Sequence, residues 1–365
     1  MGTKESLFRG ALLGLAVGDA LGRTVDSRNL DEIFRDYGPN GLLGYDLVNG
    51  YADISSYTQL AAFSANGLLM GMTRGQVSGR VSGVVRYIST AIREWSRSQT
   101  FSEPERNCCW MSGVPAMKRR FCMDTRMLDA LTRETLGTLE RPQYRSDHPG
   151  ALTTVLPIAL LHEDLGLSQE ELDRASAEVI ALTHGEPEAF LTGAALTHLM
   201  CGLLQNPDAP LRDLVQQTIH SVQYQFGHEY GQGTQIWEYL QLALTLAESD
   251  HIAPTDAMQT LGCRTAAEVL AGAVYTVSTC NRDFDAAMII AVNHSGRSSA
   301  VGAIAGALLG AILDDEALPD FYLESLEAAE PLTELADDMA AGFSEMVGKS
   351  LFDMDWDRKY LSAGK

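Results

Sequence analysis

The chain has 365 residues, 45% of them apolar and only 7% aromatic, with 33 glycines. That length suffices for one large core, and so few rings point to a core made by close backbone approach. A formal net charge of −21 with no long run of Lys and Arg excludes direct binding to a phosphate backbone or an anionic lipid surface.

Helical periodicity starts at once. Residues 7–21 carry Gly10, Gly14 and Gly18, with Gly22 just beyond. A spacing of four puts them on one side of a helix, where each costs about 1 kcal/mol in propensity relative to alanine. A tolerated run implies another helix very close on that side. Gly302, Gly306 and Gly310 repeat the device near the other end, so these two helices are expected to pack together in the core. Between them, helical patterns cover 59–72, 82–98, 125–136, 150–163, 169–183, 187–204, 211–224, 230–248, 265–278 and 283–292. Ser168 with Glu171 forms a capping-box pattern. Residues 327–347 read as a closing helix with a solvated, acidic face. Stretches 97–108 and 138–149 read as polar loops.

No alternating strand run and no Pro/Ser-rich linker appears. The expectation is an all-α, compact single domain over 1–348 with a central ligand cleft and a tail at 349–365. The longest apolar stretch, 300–313, falls short of the ~20 residues a bilayer span needs. Six cysteines, at 108, 109, 122, 201, 263 and 280, form no C-x-x-C pair. Reduced thiols in a cytoplasmic protein are expected.

Five stretches carry a resemblance. They are FRGALLGLAVGDALGRTVD from Phe8, DISSYTQLAAFSANGLL from Asp53, GALTTVLPIAL from Gly150, ALTHGEPEAFLTGAALTHL from Ala181 and AVNHSGRSSAVGAIAGALLGA from Ala291. In order and over nearly the whole chain, they resemble the ADP-ribosylglycohydrolase family, the dinitrogenase reductase-activating glycohydrolase-like group. The resemblance implies an all-helical fold whose cleft holds two magnesium ions and removes ADP-ribose from a modified side chain or a related compound. Magnesium wants hard oxygen ligands, and two such ions orient the ribose hydroxyls and position water. The family therefore places close carboxylate pairs after the first loop and near the end.

This sequence departs at both pairs. Ser55-Ser56-Tyr57-Thr58-Gln59 puts Ser56 and Tyr57 at the first pair, and Gly296-Arg297-Ser298-Ser299 puts Arg297 and Ser299 at the second. Arginine stays protonated. At ~4 Å it would repel another unit charge by ~4 kcal/mol at an effective dielectric near 20, and a divalent ion about twice as much. No metal and no cofactor is therefore expected. Thr153-Thr154, His148-Pro149 and Cys122-Met123-Asp124 also replace residues common in the family.

The candidate residues each have two readings. By the resemblance His184 and Gly185 belong to the ADP-ribose pocket, with Gly150 in the adjoining loop. Alternatively His184 caps a helix C-terminus with Gly185 left-handed. Asp19, inside the first helix, needs a buried partner, for which Arg297 is the candidate. Asp26 is a catalytic candidate, as a general base, or else an exposed loop acid. Tyr57 fills the emptied site or stacks on a base. His294 shapes the altered loop. The cysteines read as core or loop thiols. The leading expectation is a pseudoenzyme binding an ADP-ribose-like small molecule or an ADP-ribosylated protein, with Arg297 as the anion anchor. The alternatives are a hydrolase with altered chemistry and a structural or regulatory protein with a filled cleft. Oligomeric state is left open.

Overall fold

A computed structural model of the chain describes residues 2–100, 107–122, 124–342 and 354–362. Among them the fold is all-helical, and the only β pairing is two isolated bridges, Val48 with Tyr51 and Ala52 with Leu326. No helix among the described residues is long and apolar enough to cross a membrane.

In chain order the helices are α1 (Lys4–Arg23), α2 (Leu30–Tyr37), α3 (Ser56–Ser78), α4 (Val84–Gln99), α5 (Thr125–Thr132), α6 (Leu156–Leu160) and α7 (His162–Leu165). Then come α8 (Gln169–Ala181), α9 (Pro187–Gln205), α10 (Leu211–Tyr230), α11 (Ile236–Ala247), α12 (Pro254–Leu261) and α13 (Ala266–Thr279). The last are α14 (Phe284–Val292), α15 (Ser298–Leu313), α16 (Asp320–Leu323), α17 (Ala329–Ala341) and the short α18 (Met354–Trp356).

The centre is the antiparallel pair α1 and α15. A β-carbon placed on Gly10, Gly14 or Gly18 would land on the carbonyl oxygen of Gly310, Gly306 or Gly302, and one on Gly22 would meet Ser298. The two backbones therefore touch along their whole length, as the spacing predicts. Helix α1 is buried from Gly10 to Gly22 and α15 from Ser298 to Ala311, and α3, α13 and α14 surround them with apolar side chains.

Differences from the sequence reading have local causes. The expected helix at 150–163 begins as a 3-10 turn, Pro149–Val155, before α6. Pro157 has no N–H to bond back to Thr153, so a continuous α-helix is not available there. The break expected near residue 224 falls instead between α10 and α11, where Gly231 and Gly233 stand and Gly233 has a positive φ. Helix α2 is short and was not anticipated, although Asn29 and Glu32 close a capping box at its start. Helix α12 begins on Pro254 and was also missed. The capping box of Ser168 and Glu171 on α8 is present. The closing helix is α17; residues 343–347 of the expected segment lie outside the described residues. Beyond it, Trp356 and Tyr360 are buried, and Trp110 Nε1 donates to the Tyr360 hydroxyl at 3.2 Å.

Candidate functional site

Three carboxylates hold three helix N-termini near the expected cleft. A helix start leaves N–H groups without intrahelical partners, and an anion there also meets the positive end of the dipole. Asp19, fully buried on α1, caps α3. Its Oδ2 accepts from Ser55 N (2.8 Å), Thr58 N (3.1 Å) and Thr58 Oγ1 (2.6 Å), and its Oδ1 accepts from Ser55 Oγ (2.5 Å). Burial raises the Asp19 carboxyl, and these four donors pull it back. The proposed Asp19–Arg297 pair is therefore corrected: both oxygens of Asp19 are taken by the start of α3.

Arg297 pairs with Asp26. Asp26 lies in the turn after α1 and its side chain is 6% exposed, so it is not a solvated loop acid. Its Oδ1 accepts the Ser299 N–H at 3.0 Å, capping α15, and its Oδ2 accepts from Ser27 Oγ at 3.0 Å. Arg297 Nη1 sits 3.8 Å from that same Oδ2 and donates to Ser27 Oγ at 2.7 Å. Burial raises the Asp26 carboxyl above its usual range, opposed by the Ser299 N–H, Ser27 and the guanidinium. His294 shapes this loop: its Nδ1 accepts from Gly296 N, and its Nε2 lies 2.9 Å from the Ala291 carbonyl.

Ser56 and Tyr57 open α3. Tyr57 is 2% exposed. Burial, with the charge of Asp26 nearby, pushes its hydroxyl well above the usual value, so it stays a neutral phenol. Its carbonyl accepts from Thr153 Oγ1 at 2.7 Å, tying α3 to the 3-10 turn. Gln59 is structural. Its amide donates to the Ala116 and Arg119 carbonyls, and its oxygen accepts from Trp95 Nε1.

The third carboxylate, Asp124, caps its own helix α5 through Oδ1, which accepts from Arg126 N and Met127 N. Its Oδ2 faces His184 Nε2 at 2.8 Å and lies 3.7 Å from His148 Nδ1. Desolvation alone would raise this carboxyl, but His184 and His148 hold it well below the carboxylate range. His184 is fully buried and caps no helix C-terminus, and Gly185 has no left-handed φ. Glycine is required at 185 for another reason: a β-carbon there would run into Pro142. Gly150 donates its N–H to His148 Nδ1 at 3.0 Å. Burial lowers the His148 pKa to about 4.

The structure thus brings Asp26, Arg297 and Ser299 together, sets Asp19 against Ser55, and joins His184 and Gly150 through Asp124 and His148. Sequence reasoning noted Asp124 and His148 only as departures from a pattern. Their signal was position, since each directly precedes a matched or helical stretch. All six cysteines are unpaired thiols, four of them buried.

The sequence model of the ADP-ribosylglycohydrolase family matches residues 2–347. A protein of Archaeoglobus fulgidus, described only as an uncharacterized protein, is 26% identical over 336 residues, covering 91% of this chain and 95% of that one. A solved structure described as an ADP-ribosylglycohydrolase-related protein complex shares the fold with a TM-score of 0.56 at 21% identity. The match covers 93% of this chain and 99% of that one.

Proposed function

The chain belongs to the ADP-ribosylglycohydrolase family, and from that premise we propose that it is a pseudoenzyme. In this reading it binds an ADP-ribose-like ligand, free or carried on a protein, and lacks the two-magnesium site that the resemblance implies. Donor chemistry supports this. The four positions present the hydroxyls of Ser56 and Ser299, the buried phenol of Tyr57 and the guanidinium of Arg297. None is the anionic oxygen that magnesium prefers. The two carboxylates at these helix starts are already engaged: Asp19 accepts from Ser55 and Thr58, and Asp26 from Ser299 N–H and Ser27, beside Arg297. These residues do not fit a pair of magnesium ions.

The observation that carries the reading is Arg297. It is the fixed cation at the N-terminus of α15, and its side chain is 31% exposed. A guanidinium at a helix start, with further N–H groups to offer, suits a phosphate. A second reading, an altered hydrolase with Asp26 as base, has that group's burial-raised carboxyl in its favour.

Calorimetry with ADP-ribose, with and without magnesium, separates the readings. The expected result is binding that does not depend on magnesium, weakened about tenfold, or about 1.4 kcal/mol, by Arg297→Ala. No ADP-ribose should be released from arginine- or serine-linked substrates. Magnesium-dependent release would overturn the proposal. Metal-free release abolished by Asp26→Asn would favour the second reading, and no binding at all a filled cleft.

A further inference from the structure

We propose that Asp124, His148 and His184 form a mononuclear site for a divalent transition ion, zinc in preference to magnesium. One ligand atom from each residue lies within 4.8 Å of the others. The residues come from three separate places: the start of α5, the loop before the 3-10 turn, and the connection between α8 and α9. The proposal does not rest on ADP-ribose binding.

The geometry is close to what an ion needs. Zinc at about 2.0–2.1 Å from each ligand in tetrahedral geometry requires ligand atoms about 3.3 Å apart. Asp124 Oδ2 lies 2.8 Å from His184 Nε2 and 3.7 Å from His148 Nδ1. One gap must open and the other close by a few tenths of an ångström.

The supporting contacts are already in place. Asp124 Oδ1 is fixed by two backbone N–H groups, which leaves Oδ2 to face the cluster. His184 Nδ1 is held by Thr183 Oγ1 at 2.8 Å, which orients the ring. Such outer partners tune and align metal-binding histidines. The Gly150 N–H bond to His148 Nδ1 requires that nitrogen to be unprotonated, which is the form a ligand must take. Its Nε2 is buried with no hydrogen-bond partner among the described residues, so none of them anchors the far side of the ring. Moving Nδ1 from Gly150 to an ion gives up one hydrogen bond. Coordination of a structural zinc outweighs such a loss many times over.

Ligand type sets the selectivity. Two imidazoles and one carboxylate suit zinc and its neighbours, whereas magnesium prefers carboxylates and water. Arg297 is the adverse charge, felt at His148, but it is itself paired with Asp26. Three protein ligands leave a fourth position open.

The test uses the full chain, stripped of metal with a chelator and then titrated with Co2+ as a visible probe and with Zn2+ by calorimetry. One equivalent of Co2+ should give visible ligand-field bands, displaced by Zn2+ but not by millimolar Mg2+. Asp124→Asn keeps a good helix cap. It and His148→Ala should each weaken binding about 100-fold. His198→Ala, in the separate Asp173–His198 pair, should leave binding unchanged. Circular dichroism checks the fold of each variant. The proposal is overturned by absent bands, by bands that survive His148→Ala, or by bands lost with His198→Ala. None of these readouts involves ADP-ribose, so failure here is distinct from failure of the pseudoenzyme reading.

Discussion

The seam between α1 and α15 and the cluster at its end are built on opposite principles. Along the seam backbone meets backbone, and a single β-carbon on Gly18 or Gly302 would occupy a carbonyl oxygen of the other helix. At the end of the seam, side-chain carboxylates satisfy the helix starts. Asp19 and Asp26, both at the C-terminal end of α1 or just beyond, cap α3 and α15. The contrast teaches that this scaffold depends on glycines and capping carboxylates. Ser56, Tyr57, Arg297 and Ser299 stand at the two helix starts that these carboxylates cap.

The largest effect should come from the seam. Gly18→Ala or Gly302→Ala forces two helices apart, and neither backbone can yield locally. Overpacking against backbone at such a contact is expected to cost about 3–4 kcal/mol, at the upper end for point substitutions. Urea unfolding measures it. A loss under about 1 kcal/mol would show that the seam slides freely and would break the comparison.

Asp19→Ala comes next. It leaves two N–H groups and two hydroxyls at the start of α3 without their acceptor, deep in the core. A loss of about 3 kcal/mol is expected, because unsatisfied buried donors cost more than a hydrogen bond contributes. Asp19→Asn should cost less, since one amide oxygen remains. If Asp19→Ala is neutral in urea unfolding, capping is not what holds the altered cluster.

The seam was legible in the sequence because its rule is geometric. Glycine every four residues has one structural meaning, and it appears twice. The site was less legible. Arg297 and Asp26 both stand out in the sequence, but their pairing does not: a buried Asp19 calls for a partner, and hydroxyls and N–H groups serve it in place of a cation. Sequence spacing says which face of a helix a residue occupies, but not which loop crosses that face. His184 illustrates the same limit. Its partner Asp124 is 60 residues away, beyond the polar loop at 138–149, and no local pattern joins them.

His148 gives a pH signature that the seam lacks. Burial takes its pKa from the ordinary 6.5 to about 4. The unfolded chain then binds the extra proton between those values, so stability falls as pH drops through 6.5 and levels off below about 4. The linked contribution is at most about 3 kcal/mol. His148→Gln, compared with the parent by thermal unfolding in the presence of a chelator, should remove that slope. A parent slope unchanged by the substitution would mean the ring is solvated.

Arg297→Ala should have the smallest effect on stability and discriminates best between the two regions. The guanidinium is about one-third exposed and 3.8 Å from Asp26. A pair of that kind contributes about 1 kcal/mol or less. Asp26 keeps the Ser299 N–H and Ser27 when the arginine is gone, so α15 stays capped. The sign of the pH dependence follows from the same contacts. Arg297 favours the charged carboxylate, so its removal raises the Asp26 pKa further above its usual range. The variant should therefore match the parent at low pH, where Asp26 is protonated, and fall below it only as the pH rises past that group. Chemical unfolding across this range checks it. A loss of several kcal/mol would put Arg297 among the residues that hold the scaffold, alongside Asp19. A small, pH-linked loss leaves it free to serve a ligand.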